Sequence, residues 1–250
     1  MKKLFDKNEV TFAVILIVVY VVGSGNMQNI SESIGILFMA EMLFHIAFTA
    51  LILTFIKKNE LMKYLGLCRS DVPASKMLFY IPLIACAVLP IFFGVGAQYP
   101  KAALVCRTVD MLFVGFVEEI IFRGFLFKGI CKENVSRAIV ISALTFGIGH
   151  IINLFNGYDI FGCVIQIIYA VCVGFTLVFI FYRTGSLLSC IIFHSLNNSL
   201  TGFMSMENLI KAVGSEKAAD LVQLAVRLLI IIVYMVYVIK MVPKREQQDI

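Results

Sequence analysis

Long apolar runs constrain the fold of this chain more than any other feature of its sequence. Eight runs are separated by short polar segments, and they occupy residues 10–27, 34–56, 77–96, 103–127, 138–153, 160–182, 187–204 and 221–242. A membrane-spanning helix needs about 20 mainly apolar residues, whereas the strands of a membrane barrel alternate polar and apolar positions. Because these runs are uniformly apolar, the sequence predicts an all-α, polytopic membrane bundle of about eight transmembrane helices.

Composition supports this fold class. The 250 residues are 60% hydrophobic and only 15% charged, while a soluble domain is closer to half apolar and a quarter charged. The surplus apolar surface must face lipid, so we predict a single integral domain over residues 1–250, in a multi-pass protein of the cell membrane. The seven cysteines are scattered without a CxxC pair, which predicts no disulfides.

The distribution of basic residues bears on partners and on orientation. The net charge of +5 comes from lysines and arginines between the apolar runs, not from a basic stripe, so we expect no nucleic-acid partner. Most of them lie at one alternating set of boundaries, and the opposite loops hold only Lys101, Lys211 and Lys217. Because cytoplasmic loops carry the excess of basic residues, this asymmetry predicts that both termini lie in the cytoplasm, which requires an even number of crossings.

The fourth run, at residues 103–127, contains three charged residues close together. An ionised side chain near the bilayer centre costs about 2.5–3.5 kcal/mol unless it is paired or faces water. Glu119 and Arg123 are four apart, so a helix brings them onto one face as an ion pair. Glu118 points about 100° away around the helix, and Phe122 occupies the position where a partner would stand. Its carboxylate must therefore find a cation, a metal or a proton elsewhere.

The fifth run places an aromatic ring and a histidine on one helix face. Phe146 and His150 are four residues apart, with Gly147 and Gly149 between them. Small residues let membrane helices approach each other closely. We therefore expect a neighbouring helix to pack tightly beside His150.

The seventh run supplies a second histidine, and the polar residues of the three runs lie at one depth. His194 and Asn198 are four residues apart and share a helix face. At about 1.5 Å per residue, Glu118, His150 and His194 each lie roughly 15–20 Å from the basic end of their run. This agreement predicts a shared polar level near the middle of the membrane.

Two further polar pairs have simpler interpretations. His45 and Glu41 lie four apart in the second run and are predicted to form a local polar pair. Arg107 and Asp110 lie near the outer end of the fourth run and are predicted to form a surface pair.

Three motifs occur in order on separate apolar runs. They are Glu118-Glu119-xxx-Arg123, Phe146-xxx-His150 and His194-xxx-Asn198. Together they resemble the motifs of the CPBP family of intramembrane proteases, which includes CAAX prenyl-protein endopeptidases and bacterial proteins linked to bacteriocin processing and self-immunity. The resemblance covers about residues 105–201, so residues 103–204 are expected to form the catalytic core of the bundle.

The resemblance implies an intramembrane endopeptidase and a role for each motif residue. Glu118 would be the general base that activates water, and His150 would share that water. His194 and Asn198 would stabilise the oxyanion of the tetrahedral intermediate. The remaining motif residues would hold the fourth helix and the cavity, and they are Glu119, Arg123 and Phe146.

Two mechanisms remain open for the activation of water. Glu118, His150 and His194 could together bind zinc as a His₂Glu site with water in the fourth position, as in a metalloprotease. The chain has no HExxH motif. Water activated by the glutamate alone, with a His/Asn oxyanion hole, fits the same residues.

The substrate implied by the resemblance is a membrane-associated peptide or protein, reached from the cytoplasmic side of the lipid bilayer. A prenylated CAAX protein is one class, and a bacteriocin precursor or signalling peptide is the other. Intramembrane carboxylates and histidines also form proton relays. The alternative is therefore a non-enzymatic membrane protein, either a peptide-binding immunity protein or a proton-coupled transporter. No oligomeric state is predicted.

Overall fold

The fold is a helical bundle, as the apolar runs predict. The computed structural model describes residues 1–154 and 157–244. Within these residues the only extended pairing is an isolated antiparallel bridge between Val95 and Met204. The α-helices are α1 (Lys2–Lys7), α2 (Glu9–Ile34), α3 (Met39–Lys58), α4 (Ile81–Val88), α5 (Lys101–Glu119), α6 (Lys128–Cys131), α7 (Val135–Gly149), α8 (Ile160–Thr184), α9 (Leu188–Leu200), α10 (Glu207–Val213) and α11 (Glu216–Met241).

Six helical segments in the described part of the chain are long and apolar enough to cross a membrane. They are Glu9–Ile34, Met39–Lys58, Ala74–Phe93, Val135–Leu154, Ile160–Thr184 and Glu216–Met241. The other two predicted spans are helical but differ in kind. α9 has only 13 residues, and α5 carries charges from Lys101 to Glu119. Eight crossings and cytoplasmic termini therefore stay predictions, whereas the multi-pass membrane class is confirmed.

The third predicted span is broken rather than continuous. It consists of a short 3₁₀ segment (Ala74–Tyr80), α4, and a second 3₁₀ segment (Leu89–Phe93). Residues 78–80 have φ values of 51–57°, in the left-handed region that is unfavourable for residues other than glycine. Pro82 then lies in the first turn of α4, where a proline is tolerated. Pro90, one position into the second 3₁₀ segment, has no N–H with which to continue the helix.

An aromatic cluster fixes α2 against the helix that carries Glu118. The ring of Phe12 on α2 lies 5.2 Å from the ring of Phe125 and 5.2 Å from that of Phe55 on α3. Phe5 on α1 packs edge-on against Phe12 at 5.6 Å. Aromatic pairs at these separations contribute about 0.5–1.5 kcal/mol beyond their burial. This packing sets the position of Tyr20, which lies two turns further along α2.

Glycines allow the close helix contacts in the core. A Cβ atom added at Gly115 of α5 would lie 2.6 Å from the backbone nitrogen of Ser195 on α9. A Cβ atom at Gly147 of α7 would lie 2.7 Å from the nitrogen of Val171 on α8. The expected close approach of a neighbouring helix therefore occurs at Gly147, where α8 packs. It does not occur at Gly149, where a Cβ atom would meet nothing within 4 Å.

These two glycines give a matched test of the packing. We expect Gly147→Ala to lower the free energy of unfolding by about 1–3 kcal/mol, because the added methyl group must push the α8 backbone away. Gly149→Ala should leave stability unchanged, since the space beside it is open. Unfolding of the purified protein in detergent measures both, and equal losses from the two variants would contradict this account.

Candidate active site

The helix that carries the paired glutamates changes its pitch immediately after them. α5 ends at Glu119 and continues as a π-helix over Ile120–Phe127, where the sequence predicts an ordinary α-helix. Segments of π-helix occur frequently at functional sites, because the wider turn re-aims the side chains around it. Here the wide turn contains Arg123 and lies wholly in the buried core.

Glu119 and Arg123 form the predicted ion pair at the centre of the bundle. Arg123 Nη1 donates to Glu119 Oε1 at 3.0 Å, and both residues are 0% exposed. The guanidinium also donates to the carbonyl oxygen of Gly174 at 3.3 Å and lies 4.2 Å from the ring centroid of Phe146. Glu119 Oε1 accepts a second hydrogen bond from His194 Nδ1 at 2.8 Å. The pair therefore links α5, α7, α8 and α9.

Glu118 finds its partner on a distant helix. The hydroxyl of Tyr20 on α2 donates to Glu118 Oε1 at 2.5 Å. The other oxygen, Oε2, lies 3.4 Å from His194 Nε2 and makes no hydrogen bond in the described structure, although it is buried. One oxygen of this carboxylate is thus held by Tyr20, and the other faces the imidazole of His194.

The contacts of His194 determine which of its nitrogens carries a proton. A carboxylate only accepts hydrogen bonds, so the nitrogen facing Glu119 must be protonated. Nε2, which faces Glu118, then accepts when the ring is neutral and donates when the ring is charged.

His150 contacts the same aromatic ring as His194, that of Phe146. It begins the 3₁₀ turn (His150–Leu154) that follows α7. The ring of Phe146 lies 5.6 Å from that of His150 and 5.4 Å from that of His194, nearly perpendicular to both. The ring nitrogens of His150 make no hydrogen bond to a described residue. Of the two predicted histidines, the structure brings only His194 into contact with Glu118.

The predicted zinc ligands do not form a zinc site as they are arranged. Among residues 1–154 and 157–244, no three His, Cys, Asp or Glu side chains are grouped so that they can hold a metal ion. Glu118 Oε2 and His194 Nε2 lie 3.4 Å apart, but His150 is not grouped with them as a third ligand. Zinc binding by these three residues therefore stays a prediction.

Asn198 lies one turn beyond His194 on α9, as predicted, and its amide is held by its neighbour. Asn197 Nδ2 donates to Asn198 Oδ1 at 3.1 Å. The backbone oxygen of Asn198 accepts from Arg107 Nη1 at 3.4 Å, and Arg107 Nη2 donates to Thr201 Oγ1 at 2.6 Å. The predicted surface pair of Arg107 with Asp110 is therefore wrong, because Arg107 instead ties α5 to the end of α9.

The local pair predicted for His45 and Glu41 is also wrong. His45 Nδ1 lies 2.6 Å from the carboxylate of Asp110, and His45 Nε2 lies 2.8 Å from the hydroxyl of Ser24. Glu41 accepts instead from the hydroxyl of Ser31. In a packed bundle, a polar side chain can bond either to its i,i+4 neighbour or to a partner on a facing helix. Both His45 and Glu41 bond to a partner on a facing helix.

The cluster of His45, Asp110 and Ser24 adjoins the candidate site. The ring of Tyr20 lies 5.4 Å from that of His45, so Tyr20 contacts both this cluster and Glu118. Ser24 and Tyr20 were not predicted from the sequence, where the available signal was a serine and a tyrosine within an apolar run, in which polar groups are costly.

Comparison with known proteins agrees with the motif analysis. Residues 100–200 match the family model described as Type II CAAX prenyl endopeptidase Rce1-like. No curated protein and no solved structure matches the chain. The matched segment contains all three motifs, whereas Tyr20 lies outside it. The motif-bearing segment of this multi-pass membrane chain therefore belongs to the CPBP family of intramembrane proteases, of the CAAX prenyl endopeptidase type.

Proposed function

We propose that this protein is an intramembrane endopeptidase in which Glu118 activates the water that hydrolyses a peptide bond. The observation that carries this proposal is the buried Oε2 of Glu118, which makes no hydrogen bond to any described residue and faces His194 Nε2 at 3.4 Å. A water molecule about 2.8 Å from both atoms would make a hydrogen bond of ordinary length to each of them.

The proposed reaction needs one group that carries a proton and a set of hydrogen-bond donors for the oxyanion. Glu118 takes a proton from the water as the water oxygen attacks the substrate carbonyl carbon. It then gives that proton to the nitrogen of the leaving amine as the C–N bond breaks. Tyr20 holds the other carboxylate oxygen, so Oε2 stays directed at the water. Peptide hydrolysis then requires no covalent intermediate with the protein.

His194 and Asn198 are proposed to stabilise the oxyanion. Nε2 of His194 donates to the oxyanion when the ring carries both protons, and the hydrogen bond from Nδ1 to Glu119 at 2.8 Å holds the ring in that direction. Asn198, one turn along α9, supplies a second donor through its Nδ2. Removing one such donor typically costs about 10²–10³-fold in kcat.

His150 is proposed to contact the same water or the substrate. The rings of His150 and His194 both contact the ring of Phe146, at centroid distances of 5.6 Å and 5.4 Å. This shared contact with one aromatic ring supports a position of His150 beside the water or the substrate.

The proposed substrate is a membrane-associated peptide or protein, and two classes remain. The wild-type protein and the Glu118→Gln variant should be offered a farnesylated CAAX peptide and an unmodified hydrophobic peptide, with products identified by mass spectrometry. Cleavage by the wild type but not by the variant supports the proposal and identifies the substrate class. Binding of either peptide without cleavage would favour a peptide-binding immunity protein, and cleavage by both proteins would contradict the role of Glu118.

Tyr20 gives a further prediction for this site. We expect Tyr20→Phe to lower kcat about 10–100-fold, because a hydrogen bond to a charged group contributes about 1.5–3 kcal/mol and its loss frees the carboxylate to rotate. Tyr64→Phe is a matched control, since Tyr64 also donates to a glutamate, Glu9, at 2.6 Å but lies outside the site. Steady-state cleavage rates measure the effect, and equal rates for wild type and Tyr20→Phe would show that Tyr20 does not position the base.

A further inference from the structure

Among residues 1–154 and 157–244, a buried arginine on α11 has only neutral hydrogen-bond partners. Arg227 is 9% exposed and lies within a membrane-spanning helix. Its Nη2 donates to the hydroxyl of Tyr169 at 2.6 Å and to Oδ1 of Asn197, and the guanidinium stacks 4.0 Å from the centroid of the Tyr169 ring. Its Nε is buried without a hydrogen bond in the described structure. A cation in this position is costly, which points to a purpose beyond helix packing.

Arg227 determines the orientation of the amide that it contacts. A guanidinium has donors only, so the atom of Asn197 that faces it must be the acceptor Oδ1. The Tyr169 hydroxyl donates to the same oxygen at 3.1 Å. Nδ2 of Asn197 must then lie on the opposite side of the amide. The assignment of this amide thus follows from the chemistry of its partners.

The orientation of the Asn197 amide in turn fixes the orientation of the Asn198 amide. Nδ2 of Asn197 donates to Asn198 Oδ1 at 3.1 Å. An amide whose oxygen is occupied in this way presents its Nδ2 on the other side, as a donor. If Asn198 turned over, two NH₂ groups would face each other, and its oxygen would face the developing oxyanion.

We propose that Arg227 is a positioning residue: through Asn197 it holds the amide of Asn198 with Nδ2 available to donate to the oxyanion. This inference rests on the proposed function, because it assigns the amide a role in the reaction. Arg227 lies outside the segment that matches the family, residues 100–200, and outside all three motifs. It therefore extends the site to the last helix of the bundle.

Another buried arginine of the bundle provides the matched control. Arg183 at the end of α8 is also buried, and it donates to the backbone oxygens of Val242 and Ile239 at 2.8 Å each. It links α8 to α11, as Arg227 does, but its hydrogen bonds to the described residues involve no side-chain amide. Loss of packing between these helices should affect both arginine variants, whereas loss of amide orientation should affect only Arg227.

The experiment measures kcat and KM of purified Arg227→Met, Asn198→Ala and the double variant, with the peptide that the wild type cleaves. We expect Arg227→Met to lower kcat about 10²–10³-fold, the loss typical of one oxyanion donor, with KM changed by less than about threefold. Because the two residues act through one donor, the double variant should be no slower than Asn198→Ala alone. Arg227→Lys retains a donor-only cation but loses the stacking on Tyr169, so it should recover kcat only in part.

Several outcomes would overturn this inference. An unchanged kcat in Arg227→Met, or losses that multiply in the double variant, would show that Arg227 does not act through Asn198. An equal loss of kcat in Arg183→Met would assign the effect to helix packing. If Arg227→Met does not fold, Asn197→Asp decides, because its carboxylate still accepts from Arg227 but cannot donate to Asn198; wild-type kcat in that variant overturns the inference. Full activity in Glu118→Gln would instead refute the proposed function.

Discussion

Glu118→Gln is expected to lower kcat for peptide cleavage by about 10²–10⁴-fold, the contribution typical of a general base, while the protein remains folded. Glutamine has the same shape, and its amide oxygen can still accept the hydrogen bond from Tyr20 that holds Oε1 at 2.5 Å in the wild type. What it lacks is the second carboxylate oxygen, the atom that faces His194 and makes no hydrogen bond within the described part of the chain. An amide cannot take a proton from water, so binding should persist while turnover is lost.

A second buried glutamate offers a matched control for this substitution. Glu41 is 8% exposed, as Glu118 is, lies in a membrane-spanning helix and accepts a hydrogen bond from the hydroxyl of Ser31. Glu41→Gln therefore makes the same chemical change in a comparable environment without a facing histidine. We expect it to retain kcat. A loss in Glu41→Gln as large as that in Glu118→Gln would mean that burial of the charge, not its basicity, matters for turnover.

The parts of this site that depend on local spacing could be predicted from the sequence. Glu119 and Arg123 are four residues apart, and the helix joins them even though its pitch widens to a π-helix between them. The order of the motifs and their common depth likewise brought His194 to Glu118. Such predictions succeed because helix geometry fixes neighbours within about one turn.

The contacts between distant helices could not be predicted in this way. Hydropathy locates a helix but does not determine its rotation or its neighbours. Tyr20 meets Glu118 across 98 positions in the chain, and His45 meets Asp110 across 65. Both contacts depend on aromatic and glycine packing that no single segment encodes.

The largest effect on stability is expected from breaking the central ion pair. Arg123→Met should lower the free energy of unfolding by about 3–5 kcal/mol, because it leaves the Glu119 carboxylate buried without its cation. Both side chains are 0% exposed, so water cannot replace the lost partner. The variant also loses the bond to the Gly174 oxygen and the contact with the Phe146 ring. Denaturant titration of the purified protein in detergent measures the change.

An exposed pair with the same spacing separates burial from charge. Glu207 and Lys211 are also four residues apart, with 2.6 Å between their charged atoms, but their side chains are 69% and 70% exposed. Lys211→Met should therefore have the same free energy of unfolding as the wild type, since solvent screens such pairs. The double variant Glu119→Gln/Arg123→Met should be more stable than Arg123→Met alone, because no uncompensated charge remains in the core. Additive losses in that double variant would mean that packing around Arg123, rather than its pairing with Glu119, stabilises the centre of the bundle.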